Sequence, residues 1–264
     1  MTVAQALAEA ERRLAAAGVD TPRVDAELLV GHVLGVTRTE VYADRSRELE
    51  PAALEPLLRR REEREPLAYV LGEWGFRRLT LRTDSRALVP RPETEVVVDR
   101  ALALIADLPA PRVLDVGVGS GAIALAIADE HPAARVTGVD TSEPALELAR
   151  ENAARLGLDV ELRPGGPEAA AEGWDLVVSN PPYVDPRDLL HLQPEVQREP
   201  RSALLDTGVH EELARCARTT WLVLEIGERQ AETLSTHLAE LGYDDIRETP
   251  DLGGRKRVIE GRRR

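Results

Sequence analysis

Apolar residues in the first seventy positions recur every three or four residues, which is the spacing of one buried helix face. Val3, Ala6, Leu7, Ala10, Leu14 and Ala17 share such a face, and Gly18 is placed to stop the helix. A second helix is predicted through Ala26, Leu29, Val30, Val33 and Leu34, ending before Gly35. A third follows Pro51, a residue suited to the first helical turn, and carries Leu54, Leu57 and Leu58. The run Arg59-Arg60-Arg61-Glu62-Glu63-Arg64 alternates sign, so it reads as a solvated helix face rather than a basic binding patch. Between Glu73 and Pro90 the period shortens. Trp74-Gly75-Phe76 and Leu79–Thr83 predict a hairpin. Pro90-Arg91-Pro92-Glu93-Thr94-Glu95 then punctuates the chain ahead of a helix containing Val96–Ile105.

From Arg112 onward strands and helices alternate. Strands are expected at Val113–Val116, Arg135–Val139, Val160–Arg163, Asp175–Ser179, Trp221–Ile226, Asp244–Glu248 and Arg257–Glu260. Helices fit between them at Ala122–Glu130, Pro144–Leu156, Val209–Arg218 and Arg229–Leu241. Such alternation predicts an α/β fold with a mostly parallel sheet covered on both faces. The last two strands have no helix between them, so one antiparallel strand is expected near the sheet edge. The predicted organisation is a small all-α region over residues 1–72, a β-hairpin linker over 73–89 and an α/β domain over 90–264.

Composition narrows the class. Hydrophobic residues are 43% of the 264 and charged residues 31%, as in ordinary globular proteins. Aromatics are only 3%, so the core must be built from Leu, Val, Ala and Ile. A net charge of −13 repels a phosphate backbone and argues against direct nucleic-acid binding. The single cysteine, Cys216, excludes an internal disulfide and a multi-cysteine zinc site, and no metal is expected. Met1–Leu7 lacks a basic start, and no run approaches the ~18 apolar residues of a membrane span. The expectation is a cytoplasmic protein with no membrane partner.

Val113-Leu114-Asp115-Val116 runs into Gly117-Val118-Gly119-Ser120-Gly121 and then a helix. A turn so short of side chains can adopt positive φ and let a ligand approach its backbone closely. Asp140 closes the next strand, where a carboxylate can accept hydrogen bonds from both hydroxyls of a ribose. Gly117, Gly119 and Ala122 also satisfy the dinucleotide fingerprint, so a nicotinamide enzyme is a rival at this point. A plain strand–helix turn is weaker, because three glycines cost backbone entropy with no return in packing.

Asn180-Pro181-Pro182-Tyr183 leaves the carboxyl end of the Asp175–Ser179 strand. An amide or exocyclic amine nitrogen is a poor nucleophile, because its lone pair is delocalised. The side-chain oxygen of Asn180 and the backbone oxygen of Pro181 can grip its two N–H groups and aim that lone pair at a methyl group. Tyr183 offers a flat face for stacking, and Pro181 and Pro182 stiffen the loop. Alone, the tetrapeptide is as well explained by a rigid turn. Following a glycine loop and a ribose-type acid, it favours chemistry on a planar nitrogen, and nothing nearby resembles a hydride-transfer pair.

Asp115–Gly121, Asp140 and Asn180–Tyr183 resemble the class I methyltransferases that act on planar nitrogens. Pro66–Gly72, Val89–Glu95 and Leu224-Glu225-Ile226-Gly227 with Gln230 further resemble the release-factor glutamine methyltransferases, the PrmC/HemK family. The resemblance extends over nearly the whole chain. It implies a Rossmann-like class I methyltransferase sheet, with an N-terminal helical domain that docks the substrate. It implies S-adenosyl-L-methionine as cofactor, bound by Gly117, Val118, Gly119, Ser120, Gly121, Asp140 and Asn180. The implied substrate is the glutamine of the Gly-Gly-Gln loop of peptide chain release factors. Asn180, Pro181 and Tyr183 would act in catalysis, with Pro182, Arg91 and Glu93 also toward the substrate.

Two related activities stay open: a ribosomal-protein glutamine methyltransferase, and an amino-directed DNA methyltransferase. The second would require base flipping and a basic target-recognition region, which the acidic charge opposes. A non-catalytic binding module is a third alternative, opposed by the intact Asn180 and Asp140. The chain departs from the family where Ala203–Val209 lacks the usual Gly-x-Asp-Gly run and no Pro-Gly-Gly turn precedes Trp221. No adenine-contacting side chain is evident in Arg163-Pro164-Gly165-Gly166.

Overall fold

The computed structural model of the chain describes residues 1–263. They divide into two compact units, residues 1–73 with 193–198, and residues 74–192 with 199–263. The first unit is helical: α1 (Val3–Ala16), α2 (Pro22–Leu34), α3 (Arg38–Ala43), α4 (Pro51–Glu62) and α5 (Leu67–Leu71). A capping box of Thr2 and Gln5 starts α1. Val3, Ala6, Leu7, Ala10 and Leu14 form its buried face, as their spacing requires. Gly35 ends α2 with φ 64°, and Pro51 occupies the first turn of α4. Leu14, Leu29, Val30, Leu54, Leu58 and Val70 meet in the core.

The arginine run of α4 is not uniformly solvated. Arg59 is exposed and pairs with Glu55, but Arg61 is 5% exposed and binds Asp25 at 2.7 Å. Arg61 also reaches Glu195 at 2.7 Å, where Arg64 joins it at 2.6 Å. Sign alternation could not show this, because the acid that withdraws Arg61 from water lies 134 residues away. The helices α3 and α5 are too short for a periodic signal, although Thr37 and Glu40 form a capping box at the start of α3.

The second unit contains a hairpin, β1 (Glu73–Phe76) and β2 (Leu79–Arg82), then α6 (Thr94–Ile105). β3 (Arg112–Val116), α7 (Ala122–Glu130), β4 (Arg135–Asp140), α8 (Glu143–Leu156), β5 (Glu161–Pro164) and β6 (Trp174–Ser179) follow. The unit is completed by α9 (Val209–Cys216), β7 (Thr219–Glu225), α10 (Ala231–Glu240), β8 (Asp244–Pro250) and β9 (Lys256–Arg262). The sheet order is β5-β4-β3-β6-β7-β9-β8. β3, β4, β5, β6 and β7 are paired in parallel, and β9 lies antiparallel between β7 and β8. The antiparallel strand expected near the edge is therefore β9.

Alternate residues of the central strands face opposite cores. Leu176, Val178 and Val223 pack with Val98 and Ile127 on one side. Val177, Leu222 and Leu224 pack with Leu213 and Leu234 on the other. Each such side chain contributes roughly 1.5–3 kcal/mol by leaving water. Burial on both faces explains why these strands read as continuous apolar runs. The hairpin does not hang free as a connector, because Phe76, Leu79 and Leu81 belong to the first of these cores. Asn152 on α8 also holds Arg82, accepting from its N–H at 2.7 Å and donating to its carbonyl at 3.1 Å. Cys216 is half-buried at the end of α9 and its thiol donates to the Pro167 carbonyl; burial pushes its pKa up, which suits an inert packing residue.

Candidate active site

β3 continues outward to β4 and β5, and the chain then returns to set β6 on the other side of β3. The strand order reverses there, so the loops after β3 and β6 diverge and leave a crevice at the carboxyl ends. A cleft of about 390 Å³ occupies this position, within the usual range for small-molecule sites. The glycine loop, Asp140, the Asn180 loop and residues 86–91 all line it.

The loop after β3 is pinned from several sides. Gly117 and Val118 N–H both donate to the Val139 carbonyl, at 2.8 and 2.9 Å. The Ser120 carbonyl accepts from Asn152 Nδ2 at 2.9 Å. Gly117, Val118, Gly119 and Ser120 line the cleft, whereas Gly121 does not. Gly121 is needed for another reason: its φ is 90°, and a Cβ there would stand 2.7 Å from Leu125 Cδ1. Asp140 Oδ2 accepts the Gly119 N–H at 2.9 Å, and its Oδ1 accepts the Ser142 N–H at 2.9 Å. One side chain thus ties the glycine loop to the end of β4, with lone pairs left on both oxygens.

Asp115 stands within β3, fully buried at the floor of the cleft. Its Oδ2 accepts the Ala124 N–H at 3.1 Å, while Oδ1 has no hydrogen-bond partner among the described residues. Burial, with the Asp140 charge adding to it, pushes its pKa up to about 7 against that one hydrogen bond. After β5 the cleft is lined by Gly165, Gly166 and Pro167. Two of these three residues present backbone alone to the cleft.

Asn180, Pro181 and Pro182 line the opposite wall. Ser179 Oγ donates to the Val116 carbonyl at 2.6 Å, locking the end of β6 to the end of β3. Asn180 Nδ2 donates to Thr94 Oγ1 at 3.1 Å. Thr94 Oγ1 in turn donates to Glu225 Oε2 at 2.6 Å, and Tyr183 Oη donates to Glu225 Oε1 at 3.3 Å. Tyr183 is not among the lining residues; its ring lies against Gly227. Glu225 ends β7 and is 1% exposed. Burial drives its pKa up to about 7 despite the Thr94 and Tyr183 hydrogen bonds.

Arg91 lines the cleft and pairs with Glu199, whose other oxygen accepts the Val89 N–H at 2.8 Å. Burial raises the Glu199 pKa, and Arg91 opposes that. Glu93 precedes α6, half-buried and outside the lining. The atypical stretch after Ala203 does form wall: Ala203, Thr207 and Val209 line the cleft. A bridge between Val184 and Leu205 holds that stretch beside the Asn180 loop. No turn is needed before β7, because the Arg218 N–H donates straight to the Ala170 carbonyl at 2.8 Å.

Sequence reasoning expected the Pro90–Glu95 segment at the pocket, and Thr94 within it does line the cleft; it did not single out Asp115, Glu199 and Glu225 as members of this site. A signal existed for two of these three acids. Asp115 and Glu225 are acids within strands apolar on both faces, where an unpaired charge is costly enough to call for an explanation.

Comparison with known proteins agrees with this architecture. Residues 5–72 match the PrmC N-terminal domain model and residues 96–209 the methyltransferase small domain model. A release factor glutamine methyltransferase of Deinococcus radiodurans is 43% identical, covering 100% of this chain and 99% of its own length. Those of Caulobacter vibrioides and Escherichia coli are 40% and 36% identical, covering 99% and 92% of this chain and 96% and 93% of their own. Among solved structures, the hMettl16 catalytic domain in complex with a MAT2A 3'UTR hairpin shares the fold, with a TM-score of 0.56 at 13% identity over 69% of this chain and 74% of that one. The alignment to the Deinococcus relative includes both ends and the site-bearing middle of the chain, and the chain belongs to the release factor glutamine methyltransferase family.

Proposed function

We propose that the protein transfers the methyl group of S-adenosylmethionine to the side-chain amide nitrogen of the glutamine in the Gly-Gly-Gln motif of peptide chain release factors. The observation that carries this reading is a pair of acceptors on the cleft wall. Asn180 Oδ1 and the Pro181 carbonyl oxygen receive no hydrogen bond from the described residues, while Asn180 Nδ2 is already committed to Thr94. Two free acceptors suit a primary amide, which has two N–H groups to give.

The residues of the cleft fit the donor. Asp115 Oδ1 is a buried, unpartnered carboxylate oxygen, suited to the ammonium end of an amino acid. Asp140 keeps lone pairs for ribose hydroxyls, and the Gly117–Ser120 backbone leaves room for close approach. S-adenosylmethionine, when bound, supplies an electrophilic methyl group on a sulfonium. Asn180 and Pro181 hold the substrate amide so that its nitrogen lone pair points at that methyl group. Fixing this orientation lowers the barrier by several kcal/mol, within the roughly 7–11 kcal/mol that good positioning can reach. No general base is needed for attack, because the amide proton turns acidic once the new bond has formed.

We assign the helical unit to docking the release factor and the protein to the cytoplasm, where that factor works. No described helix is long and apolar enough to cross a membrane. The net charge of −13 disfavours direct nucleic-acid contact. In an assay with methyl-labelled donor, label is expected on the Gly-Gly-Gln glutamine of a co-incubated release factor. Label on a ribosomal protein or an oligonucleotide, with none on the factor, would overturn the substrate assignment.

Asp115 allows a test of the donor site. Its carboxyl is harder to ionise in the fold than in the unfolded chain, so its charge destabilises the fold. That cost is absent below the ordinary carboxylate range, grows toward pH 7 and is complete above it. Asp115→Asn should therefore raise the melting temperature of the ligand-free protein at alkaline pH more than at pH near 4, and weaken donor binding by about tenfold or more. Equal melting shifts at both pH values, or unchanged donor affinity, would rule this role out.

A further inference from the structure

We infer that Glu225, acting through Thr94, is the positioning residue that decides which end of the Asn180 amide faces the cleft. This rests on the reading of Asn180 as an acceptor for the substrate amide, and deepens it.

The argument is one of hydrogen-bond polarity. An ionised carboxylate has only lone pairs to offer. With Glu225 ionised, the one hydroxyl proton of Thr94 goes to Glu225 Oε2, at 2.6 Å. Thr94 Oγ1 then presents only a lone pair to Asn180, and the amide end that meets it at 3.1 Å must be the NH2 group. The two ends of a planar amide point apart, so Oδ1 is left as the free end. A proton on Glu225 reverses the chain. The carboxyl O–H donates to Thr94, the Thr94 proton turns to Asn180, and the end that suits it is now Oδ1. The amide turns over and sets its N–H groups against those of the substrate, donor against donor. Methyl transfer then has no acceptor at Asn180 to orient the nitrogen.

The groups around Glu225 agree with this role. Tyr183 Oη, on the same loop as Asn180, donates to Oε1 at 3.3 Å. His210 on α9 lies 2.8 Å from the Glu225 backbone carbonyl through Nε2; burial lowers its pKa and keeps it neutral, so Nε2 carries the proton. Arg257 on β9 favours the charged carboxylate, and Glu93 beside α6 opposes it. Arg91 bears on the neighbouring Tyr183, whose ionised form it favours. Burial outweighs the favourable contacts and sets the titration near neutrality. Thr94 and Glu225 lie 131 residues apart, in the Pro90–Glu95 and Leu224–Gly227 segments, and the relay joins them to the Asn180 loop.

Two readouts test the relay. The first needs no substrate: the Asn180 side-chain amide signals in a nitrogen-15 spectrum, identified by their loss in Asn180→Ala. They should titrate near neutral pH in the wild type and stay fixed in Glu225→Gln and Thr94→Val. The second is kcat for label transfer to a release factor at saturating donor, from about pH 5.5 to about 9. Saturation matters because protonating Asp115 would act on donor affinity. The wild-type kcat should fall about tenfold per pH unit on the acid side. Glu225→Gln should be slower and lack that limb. Thr94→Val should lose about 10- to 30-fold in kcat with unchanged donor affinity, and Thr94→Ser, which restores the hydroxyl, should return to within about threefold. Amide signals that ignore pH in the wild type would overturn the relay, as would a Glu225→Gln enzyme with the wild-type acid limb or a Thr94→Val enzyme with wild-type kcat. If the wild type labels no release factor, the substrate assignment falls while the amide titration still decides the relay.

Discussion

Asn180→Ala is expected to lower kcat for release-factor methylation by about 10²–10³-fold, the loss typical of removing one preorganised hydrogen-bonding group from a catalytic site. The affinity for S-adenosylmethionine should stay within about threefold of the wild type. The separation follows from what Asn180 touches. Its Nδ2 is held by Thr94, its Oδ1 accepts from none of the described residues, and the glycine loop is pinned without it by Val139, Asn152 and Asp140. Removing the amide leaves a donor site that is intact and an acceptor site with one arm. Steady-state kinetics combined with calorimetric titration of the donor would measure both quantities. An equal loss in the two would show that Asn180 serves the donor site or the fold, and would remove it from the reaction.

The second large effect is at Asp140. Asp140→Ala should weaken donor binding by about 100-fold, while kcat at saturating donor changes by less than about tenfold. Two contributions combine. The carboxylate takes the Gly119 and Ser142 N–H groups at 2.9 Å each, so its loss frees the glycine loop from the end of β4. It also removes the acceptor proposed for the ribose. A hydrogen bond to a charged group contributes roughly 1.5–3 kcal/mol, and one such bond accounts for the expected factor. Asp140→Asn would separate the two contributions. It keeps one side-chain acceptor for the backbone but loses the charge, and should fall between the wild type and Asp140→Ala. Donor affinity unchanged in Asp140→Ala would exclude Asp140 from the donor site.

The two effects fall on different substrates because the two side chains come from different strands. Asp140 closes β4 and Asn180 follows β6, with β3 and its glycine loop between them in the sheet. The proposed donor and acceptor sites thus share one cleft but have separate supports. A charged residue placed in β3, such as a substitution at Leu114, would be expected to disturb both.

Much of the fold could be read from local pattern. The apolar runs of β3, β6 and β7 and the three-and-four spacing of α1 report burial directly, because a strand repeats every two residues and a helix every 3.6. The glycines after β3 and the prolines after β6 were legible for a similar reason: each restricts or frees its own backbone, whatever surrounds it. Asp140 and Asn180 stood out in the sequence because one ends a strand and the other follows one, the positions that face the crevice of a parallel sheet. Charge, composition and motif sufficed to favour a planar nitrogen over hydride transfer.

What local pattern could not supply were the pairings between distant segments. The reversal of strand order at β3 and β6 is a property of the sheet, and it alone makes one cleft of the glycine loop and the Asn180 loop. Hydrophobic burial drives the collapse but is blind to partner identity, so nothing in the spacing says that Thr94 will meet Glu225 or that Arg61 will meet Asp25 and Glu195. Polar groups become specific only when burial removes water as their alternative partner. The sequence carried the backbone chemistry of this protein, residue by residue. The polarity of its Asn180 amide, and the cleft in which that polarity matters, arose only with the tertiary structure.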